Sequence, residues 1–352
     1  MDFTFNGNRP DTVTFNGNDI ETVKCNGVIV WQKRHIEWSG LTFTAAEAGS
    51  TIKYERINNS PATAQYSYDT INWYNAADVI ITLNNIGDEV YFKGYISDLE
   101  YNKYSHFVMT GLIEASGDIL SMNNFNEIYY ENNAFIRLFE NCTSLLTAPE
   151  LPTTRLSHAP FEYMFKGCTS LIKPPTIING AADFCCYSMF EGCTSLTTTP
   201  KFGNYAAKYC YNYMFKGCTS LVTASKLPAT RLADECYEYM FGGCTSLVNA
   251  PELPATTLAG ACYRYMFVGC KSLVTAPELP ATTLAEVCYF DMFDGCNKLN
   301  KIICLATDIS ALICTQYWLR NVSSTGTFVT PASTPWTTGE NGIPSGWTRV
   351  NV

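Results

Sequence analysis

Between Leu232 and Leu299 one order of apolar and polar positions recurs: LADECYEYMFGGCTSL, LAGACYRYMFVGCKSL and LAEVCYFDMFDGCNKL begin at Leu232, Leu258 and Leu284. The cysteine after each Met-Phe pair marks the register at Cys142, Cys168, Cys193, Cys218, Cys244, Cys270 and Cys296, with successive differences of 26, 25, 25, 26, 26 and 26. A constant period of this size marks a solenoid, in which each repeat is one coil that buries its apolar face only against its neighbours. Within one coil, Leu258, Cys262 and Met266 fall at i, i+4 and i+8, with Phe267 beside Met266. That spacing predicts the apolar stripe of a short helix. Gly269 stands where helices commonly end in a left-handed residue. Ala276-Pro277-Glu278-Leu279-Pro280 then predicts a short extended piece, whose prolines cannot donate sheet hydrogen bonds. The Met-Phe column starts at Leu138-Phe139 and ends in an eroded copy, Trp318-Leu319, as terminal repeats do.

Different patterns precede the repeats. In residues 1–34, Asn6-Gly7, Asn16-Gly17 and Asn26-Gly27 recur every ten residues. Asn-Gly suits two-residue hairpin turns, because both positions need positive φ. The pairs separate strand-like runs at 12–15, 20–25 and 28–31, which predict a small meander. So few strands are marginal alone, so the meander is expected to pack on a neighbour, either as a cap or as a docking module. In residues 35–122, β-branched and aromatic runs at 41–44, 51–57, 65–68, 79–83 and 89–92 alternate with turn-forming clusters and predict an antiparallel sandwich. Trp73 and Tyr74 fit either core packing or stacking on a sugar ring. The expected class is α+β: a β-hairpin module at 1–34 and a β-sandwich at 35–122, then a solenoid of short helix plus short strand per coil at 123–322, and a C-terminal β cap at 323–352.

The consensus FxGCTSLxxAPELPATTLxxxCYxxMF resembles the BspA-like leucine-rich repeat family, most closely at 244–270 and 270–296. Residues 168–210 depart from it, with Ile177-Ile178-Asn179-Gly180 and Phe202-Gly203-Asn204 replacing LPATTL. The pieces LTFTA, YSYDTINW, GDEVYFKG and ASGDILSM are similar to the β domain that often precedes such repeats, and TGENGIPSGWTRV to their end segment. The resemblance therefore covers most of 38–352. It implies a leucine-rich-repeat-type solenoid used for adhesion or protein binding, without catalytic residues, on bacterial surfaces or in phages. FNGNDIETVKCNGVIVWQK resembles short N-terminal segments of bacteriophage structural proteins.

Composition narrows the partners. Of 352 residues, 47% are hydrophobic, which is enough for a large core and argues against disorder. A net charge of −9 repels phosphate backbones, so nucleic acid is not an expected partner. No apolar run reaches membrane-spanning length, so membrane insertion is not expected. The start, MDFTFNGNRPD, lacks a basic stretch followed by an apolar core, so export by the usual secretory route is not expected either. Most of the sixteen cysteines fall in two columns, the register column and a second at Cys185, Cys210, Cys236, Cys262, Cys288 and Cys314. Stacked one coil apart, they read as buried thiols acting as small apolar side chains, with disulfides as the alternative. Zinc is disfavoured, because no CxxC pair occurs and His35, His106 and His158 occupy no repeated column.

No GxSxG, HExxH or phosphate-binding P-loop is present, and no enzyme activity, metal or cofactor is expected. Cys185-Cys186 arises because Cys186 takes a tyrosine position, rather than as a redox pair. The binding candidates are Tyr211, Tyr237, Tyr263 and Tyr289, directly after a second-column cysteine, and Tyr213, Tyr239 and Tyr265, two residues further on. Stacked tyrosines would form an amphipathic ladder suited to sugars or protein, or would serve packing between coils. Glu252 and Glu278 precede the proline-flanked leucine, on a face expected to be solvated. The functional expectation is a non-enzymatic virion structural or adhesion protein, a homo-oligomeric fibre or appendage component. It would dock on other virion proteins through residues 1–34 and offer a surface to host protein or glycan. The alternative is a bacterial cell-surface adhesin of the same family type.

Overall fold

The computed structural model describes residues 13–15, 18–20, 22–25, 28–32, 38–95, 102–123, 135–151, 159–180 and 182–352. The chain divides into two compact units, Met1–Ser39 and Gly40–Val352. In the first, β1 (Val13–Phe15) pairs antiparallel with β2 (Asn18–Ile20), and β3 (Thr22–Cys25) with β4 (Val28–Gln32). The registers Phe15↔Asn18 and Cys25↔Val28 leave two residues for each connection, the length Asn-Gly suits. The pairs Asn6-Gly7, Asn16-Gly17 and Asn26-Gly27 themselves lie outside the described residues.

The second unit opens with β5 (Thr42–Ala45), β6 (Ser50–Arg56), β7 (Thr63–Ser67), β8 (Tyr74–Asn75), β9 (Ile80–Leu83), β10 (Glu89–Tyr95), β11 (Ser105–Thr110) and β12 (Ile113–Ser116). Strand β13 (Leu145–Thr147), from the first coil, pairs in parallel with β12. The sheets run β13-β12-β5-β10-β7-β8 and β11-β6-β9. Alternation sends Ile52 and Tyr54 of β6, Val90 and Phe92 of β10 and Phe107 of β11 into the core. Phe107 also belongs to the coils. Its N–H donates to Leu138 O at 2.8 Å, and its ring lies 5.3 Å from Phe139, 16° from parallel. Strand β11 thus acts as an extra rung that gives the first coil a partner, as a capping element must.

The coils themselves are not helical. No α-helix occurs among the described residues, so the expected α+β class with a helix in every coil is corrected to a nearly all-β solenoid. In the coil after Leu258, Ala261, Tyr265 and Gly269 all have left-handed backbone, with φ of 52°, 58° and 70°. The N–H groups of Cys262, Arg264, Met266, Val268 and Cys270 donate three residues back. Those of Ala261, Tyr263, Tyr265, Phe267 and Gly269 donate instead to the next coil, Phe267 to Met292 O at 2.9 Å. The segment is a run of tight turns with a period of four residues. Every second amide points along the stack, which an α-helix forbids because it uses each interior amide for its own i−4 carbonyl.

An i, i+4, i+8 spacing fits a period of 4.0 as well as one of 3.6. With period four the inward face is two adjacent residues in every four, so Cys262-Tyr263 and Met266-Phe267 are buried as pairs. The left-handed positions recur in each coil, and the third is Gly or Asn at Asn141, Gly167, Gly192, Gly217, Gly243, Gly269, Gly295 and Asn321. A Cβ on Gly243 would meet Gly217 at 3.7 Å, ordinary contact, so only its φ of 74° resists a side chain. Gly243→Ala should therefore lower stability by about 1 kcal/mol, read from the urea midpoint. A loss above about 3 kcal/mol would require a steric conflict in addition to the backbone cost.

Three columns fill the interior. Phe139, Phe165, Phe190, Phe215, Phe241, Phe267 and Phe293 stack face to face, with successive centroids 5.2–5.7 Å apart. Each Cys of the register column donates its S–H to the phenylalanine carbonyl of the preceding rung, as Cys270 does to Phe241 O at 3.1 Å. That contact gives the thiol a weak polar partner without a cavity. None of the fifteen cysteines from Cys142 to Cys314 is in a disulfide, and all are buried. The third column holds Tyr211, Tyr237, Tyr263 and Tyr289.

Strand pairing in the coils is thin because the extended pieces carry prolines. Thr223, Asn249 and Thr275 are joined by single parallel bridges. Earlier coils contribute β14 (Ile177–Gly180) and β15 (Lys201–Ala206). The bridges widen into a parallel sheet of β16 (Thr275–Leu279), β17 (Lys301–Cys304), β18 (Gly326–Thr330) and β19 (Trp347–Asn351). At the end of the third column Trp318 stacks on Tyr289 at 5.9 Å and Trp336 on Trp318 at 5.3 Å.

Candidate functional site

The four-residue turn decides which tyrosines can meet a ligand. Tyr211, Tyr237, Tyr263 and Tyr289 follow the second-column cysteines directly, so they share the inward doublet and are buried. Burial pushes their phenols well up. Packing between coils accounts for all four. Tyr213, Tyr239 and Tyr265 sit two residues later, at left-handed positions, and are half-buried on the outer face. Tyr213 lies 4.9 Å from Tyr239 and Tyr239 lies 4.4 Å from Tyr265, 9° and 25° from parallel. Lys216 sits over Tyr213 at 4.9 Å and over Tyr239 at 5.5 Å, and Arg264 over Tyr265 at 5.9 Å. This strip is apolar on its ring faces and charged at its rim.

Glu252 and Glu278 lie elsewhere. Both are exposed, and with Pro251, Pro254, Pro277 and Pro280 they line a groove of about 430 Å³ between adjacent extended pieces. Glu252 also pairs with Lys226 at 2.7 Å. Both side chains are more than half exposed, so the pair contributes little to stability. In the sandwich, Lys93 covers the Trp73 ring at 4.0 Å, and Tyr74 packs beside Tyr66 while remaining exposed.

A second groove, of about 460 Å³, opens where the outer strip loses its regularity. Ser188 stands where the flanking coils have Tyr163 and Tyr213, and Tyr187 is one position early. Tyr187 meets Tyr163 edge to face at 79° and Tyr213 at 52°. Phe184 and Tyr209, stacked at 4.5 Å, form another wall. Burial raises Tyr187 to about 12.

The floor of this groove is polar. Arg264 donates through Nε to Glu238 Oε1 at 2.9 Å, and its Nη2 reaches Glu235 at 3.3 Å. Tyr209 donates to Glu235 at 2.9 Å, and Asn212 Nδ2 to Glu238 Oε2 at 3.2 Å. Burial and then the adjoining Glu235 push Glu238 up to about 7, against the pull of Arg264. Asn212 is buried, and among the described residues its Oδ1 has no donor.

Tyr187, Asn212, Glu238 and Arg264 were not singled out from the sequence. A signal was present: the intervals on either side of Cys193 are 25 residues rather than 26, and Ser188 breaks the outer tyrosine column. No protein-family model matches this chain, and no curated protein matches it.

Proposed function

We propose that this protein is a non-enzymatic structural and binding component, whose coils form a stiff scaffold and whose outer turn face recognises host protein or glycan. The observation that carries this reading is the division of the tyrosines. One column is consumed by the core, while the next holds half-buried rings with charged rims on the outer face. Rigid aromatic groups on a regular frame are suited to recognition, since little side-chain freedom is lost on contact. The resemblance of the repeats to BspA-like proteins supports adhesion.

The setting we propose is a phage particle, with the hairpin unit as its docking module. The Asn-Gly hairpins and their likeness to phage structural segments support that setting, as does a first unit compact in its own right. Deleting residues 1–34 should abolish incorporation into particles, as read by mass spectrometry of purified virions. Incorporation at the wild-type level would refute docking through this unit. Protein found on the surface of uninfected producer cells would favour a bacterial adhesin instead.

A further inference from the structure

We propose that the groove between Tyr163, Tyr187 and Tyr213 is a saccharide subsite, which takes a mono- or disaccharide with a C–H face on Tyr187 and a hydroxyl donating to Asn212 Oδ1. This rests on the binding reading above and names the ligand class of its surface.

Three observations converge on it. The first is the interruption of the ladder. Between Tyr213, Tyr239 and Tyr265 neighbouring rings cover each other's faces, as Tyr213 and Tyr239 do at 4.9 Å and 9°, and beyond Tyr265 the ring of Phe290 turns edge-on at 74°. Around Ser188 the rings splay to 79° and 52°, so the cleft between them is open. A cleft of about 460 Å³ lies within the range that encloses small ligands.

The second is the unmet hydrogen-bonding demand. Asn212 uses Nδ2 on Glu238 and keeps Oδ1 buried without a donor. A buried acceptor left without a donor is destabilising unless something fills it. What it lacks is an O–H or N–H, which a sugar hydroxyl supplies.

The third separates a sugar from a cation. Arg264 faces both Glu235 and Glu238 and offsets part of their charge, and Glu162 also lines the groove, so the floor is polar and partly compensated rather than a bare anionic hole. The tyrosines on either side already have cations on their rings: Arg137 over Tyr163 at 4.3 Å and Lys216 over Tyr213 at 4.9 Å. The open positions are apolar ring surface and directional polar groups, the combination that a pyranose presents in mirror image.

The test is calorimetric titration of the full chain with glucose, galactose, mannose, N-acetylglucosamine and disaccharides built from them, with tetramethylammonium as a competing probe. At least one sugar should bind in the millimolar range or tighter. Tyr187→Ala should weaken it roughly tenfold, the loss of one stacking contact, while Tyr187→Phe keeps it. Asn212→Ala should weaken it too, and carries the test if Tyr187→Ala does not fold. Tyr205→Ala, an exposed ring outside the groove, should leave it unchanged.

The assignment is overturned if no sugar binds, if tetramethylammonium binds in their place, or if Tyr205→Ala weakens binding as much as Tyr187→Ala. Attachment of labelled protein to host cells separates this from the broader reading. Wild-type attachment that Tyr187→Ala leaves intact would sink the subsite and spare the function. No attachment by either protein would sink the function.

Discussion

Raising the pH from about 8 to about 10 should unfold this protein, because its buried thiols stay protonated while those of an unfolded chain ionise. Fourteen cysteines from Cys142 to Cys314 are held above the usual thiol range, chiefly by burial. Burial pushes Cys296 and Cys304 up to about 12, and Cys168, Cys193, Cys244 and Cys270 well up. The sign follows from linkage. An acid whose folded pKa exceeds its unfolded one contributes its full stability below the unfolded value, and loses it as pH climbs toward the folded value. For thiols that window opens at about pH 8.5–9.

At pH 10 each unfolded thiol gains about 1.5 kcal/mol by ionising, so a dozen give about 18 kcal/mol. A typical domain has only about 5–15 kcal/mol to lose. Circular dichroism and thiolate absorbance, followed together against pH, should change in one step. Thiols that titrate near pH 9 while the fold persists would show that they are not inside. At neutral pH the same burial should shield the fifteen cysteines from Cys142 to Cys314 from iodoacetamide, whereas the unfolded chain presents all sixteen.

The second large effect is expected at Phe241→Ala, a loss of about 3–5 kcal/mol. Phe241 is fully buried, with Phe215 and Phe267 parallel to it at 5.6 and 5.7 Å. Removal leaves a cavity and strips both neighbours of a stacking partner, and in a solenoid neighbour contacts are the main source of stability. Phe241→Leu, which keeps most of the volume, should cost under about 1.5 kcal/mol. Urea unfolding of the two variants measures the difference. Equal losses would mean that the stack contributes through the aromatic rings themselves rather than through apolar volume, and a loss below about 1 kcal/mol for alanine would mean that coils near residue 241 do not share a core.

The spacing of Leu258, Cys262 and Met266 does not by itself separate a helix from a run of turns. Four-residue spacing is common to an α-helix and to a chain of tight turns, and over three positions the two periods diverge by little. The doublets distinguish them. Cys262-Tyr263 and Met266-Phe267 keep strict phase, whereas a helical face would rotate from one pair to the next. Gly269 advertised one left-handed residue, but Ala261 and Tyr265 take the same conformation without being glycine, so the turn pattern was hidden in two of its three positions. The outer strip was visible as a tyrosine column. The groove was not, because it arises from an absence at Ser188 and from partners a full coil apart, such as Asn212 and Glu238.

The amino-acid order alone determined the period, the register of the stack, the hairpins and the sandwich strands, and the two cysteine columns. Each is a repetition or alternation written in consecutive residues. Only the tertiary structure decided whether a coil is helix or turn, which tyrosine column faces in, and that Phe107 of the sandwich begins the phenylalanine stack. Those outcomes depend on where alternate amides find their acceptors, and in this chain the acceptors lie a whole coil away.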